Sequence, residues 1–218
     1  MGRGSYNSVT RNKGGGLNPS DIVKEEDMFY SEEKTRQGAF DDALAVDTAV
    51  KGMYGDGVTP SELLVAELKD DGVLGYYKRG DNSVALSDKY LDKDVMNATY
   101  DASVKDGFHP GRGKKSGTEA VVAHEYGHAL NDRAAQKMGM GMDEAATKIV
   151  KEARSSLKTK NGTVKHRGVV QMANAISRYA TTSNVEAIAE AFSDVFCNGK
   201  RAKKESHAIV NTLNSYLK

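Results

Sequence analysis

One ten-residue stretch, residues 121–130, constrains the fold more than any other feature; it reads VVAHEYGHAL. Its histidines, His124 and His128, are four residues apart, so on an α-helix both side chains project from the same face. Two imidazoles at that spacing can bind one zinc ion, and Glu125 can reach a water molecule at the metal's open position. The neighbouring residues are small or apolar, which suits a helix, and Gly127 leaves room beside the site. The chain has only five histidines, so a zinc site explains this spacing better than accident does.

Composition limits the kind of protein this can be. The chain has 218 residues, 39% of them hydrophobic, and a mean hydropathy of −0.58, values typical of one soluble domain of enzyme size. No apolar run is long enough to span a membrane, and the first ten residues lack the apolar segment of a signal peptide. A net charge of +1, from 31 basic and 30 acidic residues, argues against a nucleic-acid partner. The single cysteine, Cys197, excludes an internal disulfide and suits a reducing compartment.

The first part of the chain carries weaker signals. Residues 1–20 are polar and glycine-rich and are expected to form an arm, after which a weak helical pattern begins. A clearer helix is predicted over 39–50. Thr59, followed by proline and then glutamate three residues after the threonine, resembles a helix start and predicts a helix from 60 to about 69.

Two short strands are predicted next, over 73–78 and 83–87, joined by a turn at 79–82. In a zinc peptidase such an edge strand can pair with an extended substrate, but a purely structural hairpin fits the sequence equally well. The fold class expected is α+β, mostly helical, with a small antiparallel or mixed sheet before the histidine helix. We divide the chain into two parts. The main domain is residues 61–218, and residues 1–60 form an N-terminal arm with helices that can belong to that same domain.

The rest of the chain is predicted to be mainly helical. Ser116 or Thr118 is expected to cap the histidine helix, which should end near residue 137. Further helices are predicted over 143–157, 169–179, 185–196 and 203–217.

The loop before the histidine helix, residues 107–117, is basic and rich in glycine. Its glycine spacing is one residue too long for a phosphate-binding loop, and Lys115 stands where serine or threonine should follow the lysine. We therefore reject a nucleotide site and expect the loop to position the helix or line the cleft mouth. His109 could be a metal ligand, but a loop histidine beside a proline is more often structural or exposed.

Two histidines leave a catalytic zinc one protein ligand short. One known pattern places glycine and histidine three and six residues after the second histidine, and here Asn131 and Ala134 exclude it. The helix predicted over 185–196 offers Glu186 and Glu190 on one face, although such a pair can also form a solvated acidic face. We assign Glu186 as the ligand and Glu190 as the acceptor of the second ring N–H of a ligating histidine, the reverse assignment remaining open.

These residues resemble a known family. The segment 124–132, followed by Tyr179, Asn184 and the helical segment 186–192, is similar to the zinc-peptidase domain of anthrax lethal factor and its relatives. That family consists of zincins with a glutamate as third ligand. The resemblance implies a zincin-like fold, Zn²⁺ as cofactor, Glu186 as third ligand, and a catalytic role for the tyrosine seven residues before it, Tyr179.

A second resemblance concerns the stretch that runs from His109-Pro110-Gly111 into the helix, which is similar to zincin-like domains of bacteriophage minor head proteins. Together the two resemblances cover roughly residues 73–218. They imply a protein or peptide substrate and phage structural proteins as a further class of partner. The location is not fixed by the sequence, but with no signal peptide in view a cytoplasmic or virion-associated protein is expected.

The expected reaction is hydrolysis of a peptide bond. Zinc held by the two histidines and Glu186 would lower the pKa of a bound water, and Glu125 would carry its proton to the leaving amine. Tyr179 would donate a hydrogen bond to the oxyanion or the leaving nitrogen, with His166 as second candidate and simple packing of the tyrosine as the alternative. An alternative hypothesis is a structural module of a phage particle with little or no activity, but the intact Glu125 argues against it. A third hypothesis, a secreted toxin protease, fits the resemblance but would need an export signal, which the sequence does not show.

Overall fold

Helices dominate the part of the chain that the structure, a computed structural model, describes, namely residues 30–68 and 72–218. The predicted arm over 1–20 lies outside these residues. No helix in the described ranges is long and apolar enough to cross a membrane. The elements, in chain order, are α1 (Tyr30–Tyr54), β1 (Glu62–Ala66), β2 (Gly75–Lys78), β3 (Ser83–Ser87), α2 (Lys93–Lys105), α3 (Gly117–Met138), α4 (Met142–Ser156), α5 (Val169–Asn174), α6 (Asn184–Asn198) and α7 (Lys204–Leu217).

The three strands form one small mixed sheet with the order β1-β3-β2. β2 and β3 are the antiparallel hairpin that the sequence predicts, and their register pairs Gly75 with Leu86 and Lys78 with Ser83. β1 pairs with the other side of β3 in parallel. The α+β class with a small mixed sheet is therefore confirmed.

The helix predicted from 60 to about 69 is wrong, because strand β1 occupies Glu62–Ala66. Leu63 and Val65 alternate with more exposed neighbours and are buried in the core, a period of two that suits a strand. The backbone carbonyl of Thr59 accepts a hydrogen bond from the side-chain amide of Asn82 (3.2 Å), which ties the start of β1 to the hairpin turn. Pairing with β3 thus overrides the local signal for a helix cap.

The histidine helix α3 is the centre of the fold. It packs against the other long helices and against β2, and most of its residues are buried. Its start is fixed by a reciprocal pair of hydrogen bonds: the Glu119 N–H donates to Ser116 Oγ (3.1 Å), and the Ser116 N–H donates to the Glu119 carboxylate (2.8 Å). Ser116 is therefore the cap, one of the two candidates from the sequence. α1 is attached to the same helix through a hydrogen bond from Tyr126 Oη to Asp47.

α6 lies against α3 at very short range. A Cβ atom added at Gly127 would lie 2.7 Å from the Cα of Ala189 and 3.1 Å from the Cβ of Phe192, so only glycine permits this approach. The contact brings the His124 face of α3 next to the glutamates of α6. The sequence therefore needs both the glycine on α3 and the small residue on α6 to bring these two groups together.

The remaining helix predictions agree with α4, α6 and α7 within a few residues. The predicted helix 169–179 is shorter, because α5 ends at Asn174 and a separate short 3-10 turn begins at Tyr179. α2 was not predicted from the sequence. Its start has a recognisable cap, since Asp92 accepts hydrogen bonds from the N–H groups of Asp94 and Val95.

Candidate metal centre

Three predicted ligand atoms converge on one point between α3 and α6. The Nε2 atoms of His124 and His128 are 3.1 Å apart, and Glu186 Oε2 lies 3.1 Å from the first and 3.4 Å from the second. In a tetrahedral zinc site with bonds of about 2.0–2.2 Å, ligand atoms lie about 3.3–3.6 Å from one another. The triangle is therefore close to the size that one zinc ion needs.

The chemistry of these three side chains also suits a metal. Among the described residues, His124, His128 and Glu186 form the one group of three or more histidine, cysteine or acidic side chains that could hold an ion. Glu186 Oε2 is buried, and the Nε2 atoms of both imidazoles lie within 3.4 Å of it. Two histidines and one glutamate are a known ligand set for catalytic zinc.

The electrostatics of the group point the same way. Burial alone would raise the pKa of Glu186, but hydrogen bonding to His124 and His128 lowers it far below its ordinary value. Burial alone would lower the pKa of His124, but the carboxylates of Glu186 and Glu190 raise it well above its usual range. The carboxylates thus favour a positive charge at this point. A proton on His124 can supply that charge, and so can a metal cation that displaces the proton.

Glu190 is not part of the ligand group; it contacts the other ring nitrogen of His124, Nδ1. It is 1% exposed, and its Oε1 atom is 2.8 Å from His124 Nδ1 and 2.9 Å from His109 Nδ1. Its Oε2 atom accepts a hydrogen bond from Ser177 Oγ (2.6 Å). Burial alone would raise the pKa of Glu190, but the two histidines lower it to about 2, so the carboxylate is ionised and accepts from both rings.

Glu125 is 7% exposed and lies beneath the edge strand β2. A Cβ atom added at Gly75 would lie 3.3 Å from Glu125 Oε1 and 2.8 Å from Val121 Cγ1. The strand can pass over the carboxylate only because residue 75 has no side chain. This contact fixes the position of β2 relative to the candidate general base.

Tyr179 lies in the short turn before α6, and its ring stacks on that of His124 with centroids 5.7 Å apart. Its hydroxyl is close enough to the carboxylates of Glu186, Glu125 and Glu190 to be influenced by their charge. Burial, with the nearby carboxylates, raises the pKa of that hydroxyl above its ordinary value, so it keeps its proton at neutral pH. The turn is held in place by hydrogen bonds from the Tyr179 N–H to the Phe108 carbonyl (3.0 Å) and from the Arg178 N–H to the Gly107 carbonyl (2.9 Å).

A cavity of about 350 Å³ opens beside these residues. It lies between β2, α2, α3 and the loop at His109, and both Glu125 and Tyr179 contribute to its wall. The other lining residues are mainly apolar or small: Gly72, Val73, Leu74, Gly75, Thr99, Tyr100, Ser103, Phe108, His109, Val121, His124 and Glu190. The centre is therefore accessible to a molecule with a sizeable apolar part.

The other histidines that the sequence suggested have different surroundings. His109 is not part of the ligand group, since its Nδ1 atom is bonded to Glu190. His166 is buried 2.8 Å from Glu205 on α7 and does not line the cavity, so it is not placed to assist the same chemistry as Tyr179. Cys197 is also away from the ligand group, and burial raises the pKa of its thiol to about 12.

Three further residues of the site are not indicated by any sequence pattern. Ser177 binds Glu190, Gly75 passes over Glu125, and Tyr100 packs on His109. Each contact joins two different elements or loops, so the periodicity within one helix or strand does not predict it.

Comparison of the chain with protein-family models, with curated proteins and with solved structures gives no match. The interpretation of the centre therefore rests on its own residues and geometry.

Proposed function

We propose that the chain is a zinc-dependent endopeptidase with a zincin-like fold. The observation that carries the proposal is the convergence of His124, His128 and Glu186 on one point, with Glu125 and His124 both in the wall of an open cavity. A purely structural zinc would need neither a carboxylate next to its ligands nor access from solvent.

In this proposal the two histidines and Glu186 hold the metal, and Glu190 fixes the ring of His124 through its Nδ1–H. Zinc bound there would supply an activated water and would polarise the carbonyl of the scissile bond. Because Glu190 accepts at Nδ1, the lone pair of His124 is on Nε2, the atom that faces the ligand group.

In this mechanism Glu125 transfers the proton, and Tyr179 stabilises the negative charge that develops. Glu125 takes a proton from the attacking water and delivers it to the nitrogen of the leaving amine. Tyr179 donates a hydrogen bond to the oxygen that becomes negatively charged, since a tyrosine hydroxyl, with an ordinary pKa of about 10, is protonated at neutral pH. The stacking of its ring on His124 keeps it beside the ligand group before substrate enters.

The substrate is proposed to be an extended peptide. β2 lies at one edge of the described sheet, so the backbone groups on its outer side have no strand partner within that sheet. An extended chain added to this edge would run past Glu125, since Gly75 of β2 lies directly above that side chain. The neighbouring cavity would take one large, mainly apolar side chain of the substrate.

Cleavage of a peptide library by the zinc-loaded protein tests the proposal. Wild type is expected to cleave extended peptides, and Glu125→Gln is expected to lose at least about 10²-fold in kcat while it keeps its zinc. Glu144→Gln, a change of the same kind at an exposed position on α4, is the matched control and should match wild type. Cleavage that survives Glu125→Gln would contradict the mechanism. Zinc binding without any cleavage by wild type would instead favour a structural module, such as a virion component.

A further inference from the structure

We propose that His109 is a positioning residue of the metal centre, which holds Glu190 in the orientation that fixes His124. This inference deepens the proposed function and rests on its metal site. One oxygen of Glu190, Oε1, lies 2.9 Å from His109 Nδ1 and 2.8 Å from His124 Nδ1. A carboxylate can only accept, so both imidazoles carry a hydrogen on Nδ1 and donate it to the same oxygen.

Glu190 is held from two sides by groups that do not bind the metal. Ser177 donates to its Oε2 atom (2.6 Å), and the N–H of Ala180 donates to Ser177 Oγ (3.0 Å), which fixes the serine in the turn before α6. His109 supplies the second restraint, on the oxygen that His124 uses. Together they leave the carboxylate, which is 1% exposed, little freedom to turn away from His124.

The ring of His109 is itself fixed by aromatic packing. It stacks on Tyr100 of α2, with centroids 5.3 Å apart and planes 8° apart, and it meets the edges of Phe108 and Tyr179 at 4.9 and 5.4 Å. Tyr100 Oη also donates to the carbonyl of Pro110 (3.2 Å), which holds the backbone after His109. The histidine therefore presents its Nδ1–H from a rigid support.

The same support carries the candidate catalytic tyrosine. The N–H of Tyr179 donates to the carbonyl of Phe108, the residue before His109. His109 thus links three parts of the site: the tyrosine turn through its own loop, Glu190 through its Nδ1–H, and His124 through Glu190. Loss of that hydrogen should loosen Glu190 and, through it, His124, and weaken zinc binding about 10- to 100-fold, the range typical of partners behind metal ligands.

Two substitutions separate the hydrogen bond from the packing. His109→Asn keeps an N–H donor near the Nδ1 position, whereas His109→Phe keeps a ring against Tyr100 but has no donor. Zinc affinity, measured by competition with a chromophoric chelator, is expected to fall about 10- to 100-fold in His109→Phe and to stay within about threefold of wild type in His109→Asn. His207→Phe, a histidine on α7 outside the ligand group, is the matched control and should leave zinc affinity unchanged.

A third variant keeps the test decisive if the phenylalanine protein does not fold. His109→Gln places its amide near the Nε2 position, so it should lose zinc affinity like His109→Phe although its polarity matches that of His109→Asn. The melting temperature of each metal-free variant shows that it is folded. Two results would overturn the role of His109. One is a zinc affinity in His109→Phe and His109→Gln equal to that of wild type. The other is an equal loss of zinc affinity in His109→Asn and His109→Gln. Zinc affinity is measured without substrate, so failure of this inference is distinct from failure of the peptidase proposal.

Discussion

Gly75 of the edge strand lies so close to Glu125 that a Cβ atom at residue 75 would approach Glu125 Oε1 to 3.3 Å and Val121 Cγ1 to 2.8 Å. The strand that is proposed to bind substrate and the side chain that is proposed to act as base are thus in direct contact. Their relative position is set by the absence of one methyl group.

Gly75→Ala is therefore expected to displace β2 or Glu125 and to lower kcat about 10- to 100-fold, since small errors of position at a reacting group have effects of this size. Zinc affinity should change little, because the atoms nearest to a Cβ at residue 75 belong to Val121 and Glu125 and not to the three candidate ligands. Gly80→Ala in the same hairpin, where an added Cβ meets nothing within 4 Å, is the control. Unchanged peptide cleavage by Gly75→Ala would show that this contact does not position the base.

Gly127 sets the spacing of α3 and α6. Gly127→Ala would place a methyl group 2.7 Å from the Cα of Ala189, a backbone atom that cannot move aside alone. We expect the free energy of unfolding to fall by about 1–3 kcal/mol, measured by urea denaturation of the metal-free protein. Gly141→Ala, at an open position before α4, should have a much smaller effect. An equal effect of the two substitutions would mean that the helices can separate without cost.

Tyr179 is expected to act on the chemical step. Tyr179→Phe keeps the ring that stacks on His124 but removes the hydroxyl, so kcat should fall about 10²- to 10³-fold with little change in KM or zinc affinity. Tyr216→Phe, which removes a hydroxyl bonded to Glu152 on the surface, serves as the comparison. Steady-state kinetics on one peptide substrate distinguish the two, and a Tyr179→Phe protein as active as Tyr216→Phe would assign the tyrosine to packing alone.

Glu205 predicts a pH dependence of stability that is separate from the metal centre. Burial alone would raise its pKa, but Lys165 and His166, which lie 2.5 and 2.8 Å from its Oε1 atom, lower it to about 2. The pKa is lower in the folded protein than the ordinary value of 4.5, so this carboxylate stabilises the fold fully above that pH. The contribution is lost progressively as the pH falls from 4.5 towards 2.

Melting temperatures of wild type and Glu205→Gln between pH 6 and pH 2 check this sign. Wild type should lose more stability than the variant over the acidic part of the range, because the variant has no carboxylate to protonate. Parallel curves for the two proteins would show that the Glu205 contacts make no contribution to stability in that interval.

The candidate metal ligands could be predicted from sequence because their information is local. His124 and His128 share a helix face through their spacing, and Glu186 and Glu190 share another for the same reason, so each pair follows from helical periodicity. The capped start of α3 is local too, since Ser116 and Glu119 bind each other across three residues.

The parts that could not be predicted depend on contacts between distant segments. β1 carries a local signal for a helix, and only its pairing with β3 makes it a strand. His109 and Glu190 are 81 residues apart, and nothing in either segment alone indicates that they share a hydrogen bond. Likewise, Ser177 gains its role only because the chain leaves its helix after Asn174 and turns towards α6.

Zinc content and affinity of wild type, Glu186→Ala and Glu190→Ala test the central claim most directly, namely that His124, His128 and Glu186 together bind one catalytic zinc. Wild type is expected to bind one zinc per chain, Glu186→Ala to lose tight binding, and Glu190→Ala to bind about 10- to 100-fold more weakly while it still holds one ion. A Glu186→Ala protein that binds zinc as tightly as wild type would contradict the account.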